Sequence, residues 1–368
     1  MKFITKKNEI VESLQTGASI AERRQTIPVL ANLKMVATSG EVEITATDLE
    51  IQVKKLAKIN QVLEEGETTV SARKMSELCR SLPEDEDLEF NLKNGKLTVS
   101  SKNFHADFAT ISTADFPVLE TSDEKEAFSL PSLKLQRLLS KTAFCMASQD
   151  VRYYLNGLLI EYKSGEINAV ATDGHRLALA SVNLEDCNLP EGQRQIIPRK
   201  AVLELSKILN EGKSEIKISL GNSSLRVEDE GLDFATKLID GKFPDYEKVL
   251  PSGEPEKLEI SKEDLHGALS RASVLSNEKY RGVRFSLDNN QLKLTANNPE
   301  KESAEELLDV NYKGQTLEIG FNIGYLMDVL GTIDSDNLEL NFYGEESSCL
   351  IREPGNKSEV YVIMPMRL

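Results

Sequence analysis

Apolar residues recur with helical spacing in six stretches of the chain. Met75, Leu78, Cys79 and Leu82 fall at i, i+3, i+4 and i+7, as do Ile323, Leu326, Met327 and Leu330. Val202, Leu205, Ile208 and Leu209 form a similar stripe, and so do Leu135, Leu138, Leu139 and Ala143. Ile10, Val11 and Leu14 open another near the start. Leu265, Leu269 and Ala272 mark the last, preceded by a Ser261-x-x-Asp264 capping box. With their flanks the predicted helical regions are 6–24, 73–82, 132–152, 199–213, 262–281 and 321–333. Between them the apolar period drops to two, at Val42/Ile44, Leu292/Leu294 and Leu338/Leu340/Phe342, which predicts short strands. The class is α+β.

The pattern repeats. Ala46 in "TATDLEI", Ala171 in "VATDGHR" and Ala296 in "LTANNPE" are spaced by 125 residues twice. Asn32, Gly157 and Gly282 keep the same interval, and Leu97, Leu225 and Leu350 keep 128 and 125. Lys74 in "ARKMSEL" aligns with Lys200 in "PRKAVLEL", and Phe116-Pro117, Phe243-Pro244 and Met364-Pro365 close the three units. Five ordered coincidences indicate three homologous domains. They are expected at 1–120, 128–250 and 251–368, joined by the polar connectors 119–128 and 250–259.

Composition narrows the function. The start, "MKFITKKNEIVE", has no apolar core behind its charges, so a signal peptide is not expected, and no apolar run reaches the roughly 18 residues of a membrane helix. A cytoplasmic location follows as an expectation. Cys79, Cys145, Cys187 and Cys349 lack CxxC spacing and read as buried thiols. His105, His175 and His266 stand apart, without a second ligand at metal spacing. Phosphate-loop, dinucleotide and GxSxG signatures are absent, and neither cofactor nor metal is expected. The net charge of −16 argues against nucleic acid, but its distribution does not. The six helical regions carry 19 Lys and Arg against 11 Asp and Glu, a net +8, which leaves −24 on the remainder. Basic helices on an acidic body suit a polyanion held by its phosphates, without base readout.

Asp173, His175 and Arg176 in "VATDGHRLA" offer an acid, a base and a cation within four positions. A hydrolase or nuclease built on Asp173 and His175 is one reading, and an acidic scaffold that binds only proteins is another. Catalysis would need a nucleophile or metal beside the trio, and the sequence offers neither. The first and third repeats carry "TDLEI" and "NNPEK" there, so the trio reads as part of a site and not of the fold.

The chain resembles a known family over its full length: the bacterial sliding clamp, the beta subunit of DNA polymerase III. The resemblance rests on "QTIPVLANL" (25–33), "SQDVRYYLNGLLIE" (148–161), "VATDGHRLA" (170–178), "IPRKAVLEL" (197–205), "DGKFPDYEKVLP" (240–251), "LSNEKYRGVR" (275–284), "LTANNPEKESAEE" (294–306) and "YVIMPMRL" (361–368). It implies three tandem copies of the DNA-clamp fold, with helices inside and antiparallel sheets outside, two chains closing a ring, and no catalysis. The expected partners are a second copy of the chain, duplex DNA without sequence preference, and the polymerase III alpha subunit. The clamp loader and other polymerases and repair proteins would also dock, through short peptides.

The same resemblance assigns residues. DNA contacts map to Arg24, Arg73, Gln149, Tyr153 and Tyr154, with Arg199 and Lys200 as further phosphate contacts. If the tyrosine pair lay on a strand, one ring would be buried and the other exposed. A peptide pocket maps to Arg152, Leu155, Thr172, Gly174, His175, Arg176, Leu177, Pro244 and Val249, and to Val362, Met364, Pro365, Met366, Arg367 and Leu368. Asn322, Tyr325 and Ser348 would border it. The subunit interface maps to Ala106 and Phe108 against Val274 and Leu275.

Overall fold

The computed structural model describes residues 1–21, 27–84, 86–119, 126–184, 189–209 and 214–367. All six predicted helices occur among them: α1 (Lys7–Ile20), α2 (Ala72–Ser81), α3 (Ser132–Thr142), α4 (Arg199–Ile208), α5 (Lys262–Ser273) and α6 (Ile323–Thr332). The chain divides into two compact units, Met1–Leu133 with Leu203–Leu238, and Lys134–Val202 with Ile239–Leu368. The division cuts through the middle repeat, because sheets run from one repeat into the next.

In the first unit α1 buries Ile10, Leu14, Gly17 and Ile20, the residues its spacing puts on one face. At Gly17 the helix lies so close to the sheet that a Cβ would come within 2.6 Å of Leu33 Cδ2. Glu9 caps its start by accepting from the Lys6 backbone N–H (2.9 Å). Lys7 Nζ donates to the carbonyls of Leu82 (2.6 Å) and Arg80 (2.9 Å), satisfying the end of α2, whose Met75 and Cys79 are buried. The strands form a sheet of thirteen, in which the second repeat's Leu232–Lys237 pairs antiparallel with the first repeat's Ile51–Lys58. Asp233 lies across from Lys54 on this seam, 3.4 Å from its Nζ. It also accepts two bonds from Arg226, at 2.7 and 2.8 Å.

The second unit holds an eight-stranded and a four-stranded antiparallel sheet. In the larger one, Arg176–Asn183 of the middle repeat pairs with Glu359–Ile363 of the last, Leu177 opposite Val362. Beside this seam Glu359 and Lys141 are almost wholly buried. Arg137 Nε donates to Glu359 (2.6 Å) and Lys141 Nζ to Asp334 (2.8 Å). The four-stranded sheet follows the period-two pattern. Phe285 and Leu294 are opposite each other and fully buried, and Phe285 meets Phe321 edge-on with centroids 5.3 Å apart. The forward half of the predicted capping box is present, since Ser261 Oγ accepts from the Asp264 N–H (3.3 Å). Cys79, Cys145 and Cys349 are buried free thiols, and Cys187 lies outside the described residues. No described helix is long and apolar enough to cross a membrane.

Burial opposes ionisation of Asp233, but the hydrogen bonds and charge of Arg226, aided by Lys54, outweigh it and hold the carboxyl below its ordinary 3.8. A depressed folded pKa contributes stability that is fully present above the unfolded value and lost as pH falls through the folded one. Melting curves of the wild type and Asp233→Asn are therefore expected to differ at neutral pH and to converge in strong acid. A gap of constant width would contradict this.

Candidate peptide groove

The stretch 146–156 is held by its own side chains. Asp150 N–H donates to Asn156 Oδ1 (2.9 Å) and Asn156 Nδ2 donates back to the Asp150 carbonyl (2.8 Å). The Asp150 carboxylate accepts from the Arg152 backbone N–H (2.8 Å), Nε (3.0 Å) and Nη2 (2.8 Å), and the Arg152 side-chain bond above all pulls its pKa down to about 2. The arginine is thereby aimed across the next turn, where its Nη2 reaches the Asp173 carbonyl (3.1 Å).

That turn is built by Thr172 and Asp173. Thr172 Oγ1 donates to the Arg176 carbonyl (2.6 Å) and accepts from the Gly174 N–H (3.1 Å). Asp173 Oδ1 accepts from the N–H groups of His175 (2.9 Å) and Arg176 (3.0 Å). The first repeat has the same set: Thr47 Oγ1 bonds Ile51 (2.8 Å) and Leu49 (3.1 Å), and Asp48 Oδ1 accepts from Glu50 (2.9 Å) and Ile51 (2.7 Å). Asp173 therefore belongs to the fold, which corrects the expectation that the whole trio is particular to the site. Only Gly174, His175 and Arg176 differ between the two copies. Leu49 shows that the turn's positive φ (76°, against 88° at Gly174) tolerates a side chain. What glycine does at 174 is leave room for Arg152, since a Cβ there would lie 2.9 Å from Nη1 and displace the end of that side chain.

Arg176 is the hub of the site. It donates from Nε to Asp173 (3.0 Å), from Nη1 to Asp328 on α6, and from Nη2 to the Phe144 carbonyl (2.9 Å). Its guanidinium lies 4.6 Å from the Tyr325 centroid and 5.4 Å from that of Phe144. The Asp328 bond and neighbouring anions raise its pKa against the opposing effect of burial. His175 is exposed and stacks on Tyr325 with centroids 6.4 Å apart. Both Asp173 oxygens are thus engaged by its own turn and by Arg176. No group of three potential metal ligands occurs among the described residues.

Around this hub lies a groove of about 210 Å³, lined by Arg152, Tyr154, Leu155, Thr172, Gly174, Arg176, Leu177, Pro244, Val249, Val362 and Met364. Its floor residues Leu155, Leu177 and Val362 are at most 2% exposed, and Met364 stands 38% exposed at its rim. The chain end is tied down beside it: Met364 N–H donates to the His175 carbonyl (2.9 Å) and Met366 N–H to that of Gly320 (2.8 Å). The space takes one or two apolar side chains, less than the roughly 300 Å³ at which small-molecule sites begin.

Ten residues expected in a pocket are thus brought together. His175 and Tyr325 adjoin it through Arg176. Asn322 serves instead as the cap of α6, accepting from the Tyr325 N–H (3.3 Å). Ser348, Pro365, Met366 and Arg367 do not line the groove, and Leu368 lies outside the described residues.

Tyr154, expected among the nucleic-acid contacts, is a groove residue. The tyrosine pair sits in a 3-10 turn, Tyr153–Leu155, and not on a strand. Tyr153 is exposed and Tyr154 half-buried, and the rings meet at 69°. Of the other expected nucleic-acid contacts, Arg73 is exposed in the first unit and donates to Glu77 (2.9 Å). In the second unit Gln149 is exposed at a φ of 57°. Arg199 and Lys200 are half-buried, and Arg199 Nη1 donates to the Met146 carbonyl (2.8 Å). Arg24 lies outside the described residues. Ala106 and Phe108 are half-buried on the strand Phe104–Ile111. Val274 is 77% exposed just after α5, with Leu275 half-buried beside it.

Three domain families of the DNA polymerase III beta subunit match in order: the N-terminal domain at residues 1–120, the central domain at 129–245 and the C-terminal domain at 247–367. The beta sliding clamp of Pseudomonas aeruginosa is 43% identical and that of Escherichia coli K12 41%, each over the whole of both chains. A crystal structure of the Pseudomonas aeruginosa DNA polymerase III subunit beta superposes with a TM-score of 0.95 at 42% identity, with full coverage of both chains. Clamps from Pseudomonas aeruginosa and Bartonella birtlesii, each bound to griselimycin, give TM-scores of 0.96 and 0.94 at 42% and 34% identity, also over both whole chains.

Since Asp48 and Asp173 perform the same turn-locking task, Asp48→Ala and Asp173→Ala are each expected to destabilise the protein by at least about 1 kcal/mol in denaturant unfolding, Asp173→Ala by more because Arg176 also loses a partner. A neutral Asp173→Ala would contradict the shared role.

Proposed function

The chain belongs to the DNA polymerase III beta subunit family, and from that premise we propose how its surfaces divide the work of a sliding clamp. Its function is that of a processivity factor, and it is a non-catalytic accessory subunit of the polymerase. The hydrolase reading of Asp173 and His175 therefore falls away.

The ring is assembled from two chains, head to tail. Two edge strands support this. Among the described residues Phe104–Ile111 pairs with Lys96–Ser101 through residues 104–109 and has no strand on its other side there; only Thr110 and Ile111 reach Gly66–Ser71. Among the described residues Ser303–Asp309 pairs only with Gln291–Asn297. An edge of each kind in every chain lets two copies continue each other's sheets and close a twofold ring. Ala106 and Phe108 on one side, and Val274 and Leu275 on the other, supply apolar cover, to which exposed Leu307 adds.

Duplex DNA passes through the ring, held by its phosphates without sequence preference. Arg73, Gln149, Tyr153 and Lys200 are the contacts we assign, together with Arg24 and whatever donors Arg199 keeps after its bond to Met146. Tyr154 is assigned to the groove. Contacts of this kind are weak and salt-dependent, which permits sliding. A scaffold that binds only proteins would show no such salt dependence.

The groove receives short peptides from the polymerase III alpha subunit, the clamp loader and other polymerases and repair proteins. The observation that carries this reading is the apolar floor of Leu155, Leu177 and Val362 beside the partly exposed Met364. Methionine adapts to several related side chains. The protein works in the cytoplasm.

Deleting Met364–Leu368 is expected to abolish binding of griselimycin, followed by calorimetry, while light scattering still gives a dimer. A truncated chain that binds normally would overturn the groove assignment. Val274→Ala combined with Leu275→Ala is expected to give monomers, and an unchanged mass would refute that interface.

A further inference from the structure

One wall of the groove, Pro244 and Val249, stands on a segment without regular sheet pairing. Ile239 bridges to Ile196. Beyond it, among the described residues, the main-chain hydrogen bonds of 240–250 stay within the segment: Lys248 N–H to the Asp245 carbonyl (3.3 Å) and Val249 N–H to that of Tyr246 (3.0 Å). The segment is anchored by side chains. Phe243 and Tyr246, each 3% exposed, enter a core that includes Leu155, Leu159, Leu177, Ile196 and Val362.

Tyr246 adds a directional tie at the bottom of that core. Its hydroxyl donates to Glu161 Oε2. Glu161 is 2% exposed on the strand Gly157–Lys163, and its other oxygen accepts from Arg194 Nε (2.6 Å), the residue opposite it in the register. The Arg194 guanidinium returns to lie 5.9 Å from the Tyr246 centroid. Phenylalanine at 246 and leucine at 161 would fill the same core without a buried charge. Burying a carboxylate is expensive, and a paired one contributes little net stability over an apolar replacement. Its effect here is geometric, since both oxygens are fixed by partners on different elements. None of the three residues lines the groove.

We propose that Glu161, Arg194 and Tyr246 form a brace that sets the position of the Pro244–Val249 wall, and with it the affinity of the groove for its peptides. The proposal rests on the groove reading above. Glu161 and Tyr246 are positioning residues that act through the wall. Glu247, paired with Lys163 on the strand that carries Glu161, adds an exposed outer tie.

The test uses the full-length protein and griselimycin as probe. Tyr246→Phe keeps the ring in the core and removes only the hydroxyl. It is expected to weaken griselimycin about tenfold, equivalent to about 1.4 kcal/mol. It should also speed amide exchange at Lys248 and Val249 about tenfold, with Leu159 and Ile160 unchanged. Tyr246→Phe with Glu161→Leu leaves no unpaired buried group, so melting returns to the wild-type midpoint while affinity stays low. Wild-type affinity in Tyr246→Phe, or recovery of affinity along with melting in the double variant, would overturn the brace. Met364→Ala separates the two readings. If it leaves griselimycin binding untouched, the groove assignment fails, and the exchange rates at Lys248 and Val249 still decide the brace. If Met364→Ala weakens binding and Tyr246→Phe does not, the brace fails alone.

Discussion

Main-chain pairing between strands of different repeats is the constraint on which the other features depend. Leu232–Lys237 joins Ile51–Lys58, and Arg176–Asn183 joins Glu359–Ile363, each in antiparallel register. A slip of one residue in such a ladder turns every side chain to the opposite face. At the second seam the register sets Leu177 opposite Val362, and Arg176 opposite Ile363 at its end. The groove floor is made by that pairing, so an element of the middle repeat and the end of the last repeat form one surface. The charges along both seams serve the same register, with Asp233 across from Lys54 in one and Glu359 among Arg137 and Lys141 in the other.

On that floor the walls are set by short polar devices. Thr172 and Asp173 lock a turn that the first repeat also uses at Thr47 and Asp48. What the middle repeat adds is a glycine that admits Arg152 and an arginine that ties the turn to α6. With three residues changed, the same turn lines the groove in the middle repeat. The third repeat shows a related arrangement, in which Asn298 Oδ1 accepts from the Glu302 N–H (2.9 Å).

The sequence made the helices, the period-two strands and the threefold repeat legible, because each is a local pattern of apolar spacing. The lining of the groove was legible only through resemblance, since Leu155, Val249 and Val362 are ordinary core residues until their neighbours are known. Three things had no local signature. Tyr153 and Tyr154 look like strand residues but lie within a loop closed by Asp150 and Asn156, where they form a 3-10 turn. Glu161 and Lys141 look like surface charges, and only partners far along the chain allow their burial. The sheets' continuity across repeats gives two compact units from three homologous domains, a consequence of pairing that no spacing reveals.

The central claim is topological: the clamp holds DNA by surrounding it, and not by tight contact. The direct measurement is retention on DNA through gel filtration at high salt, after loading by the clamp loader onto nicked circular molecules, before and after the circle is cut. The account predicts that the protein stays with the circle and is lost when the DNA is linearised. Equal retention on both forms, or equal loss from both, would contradict it.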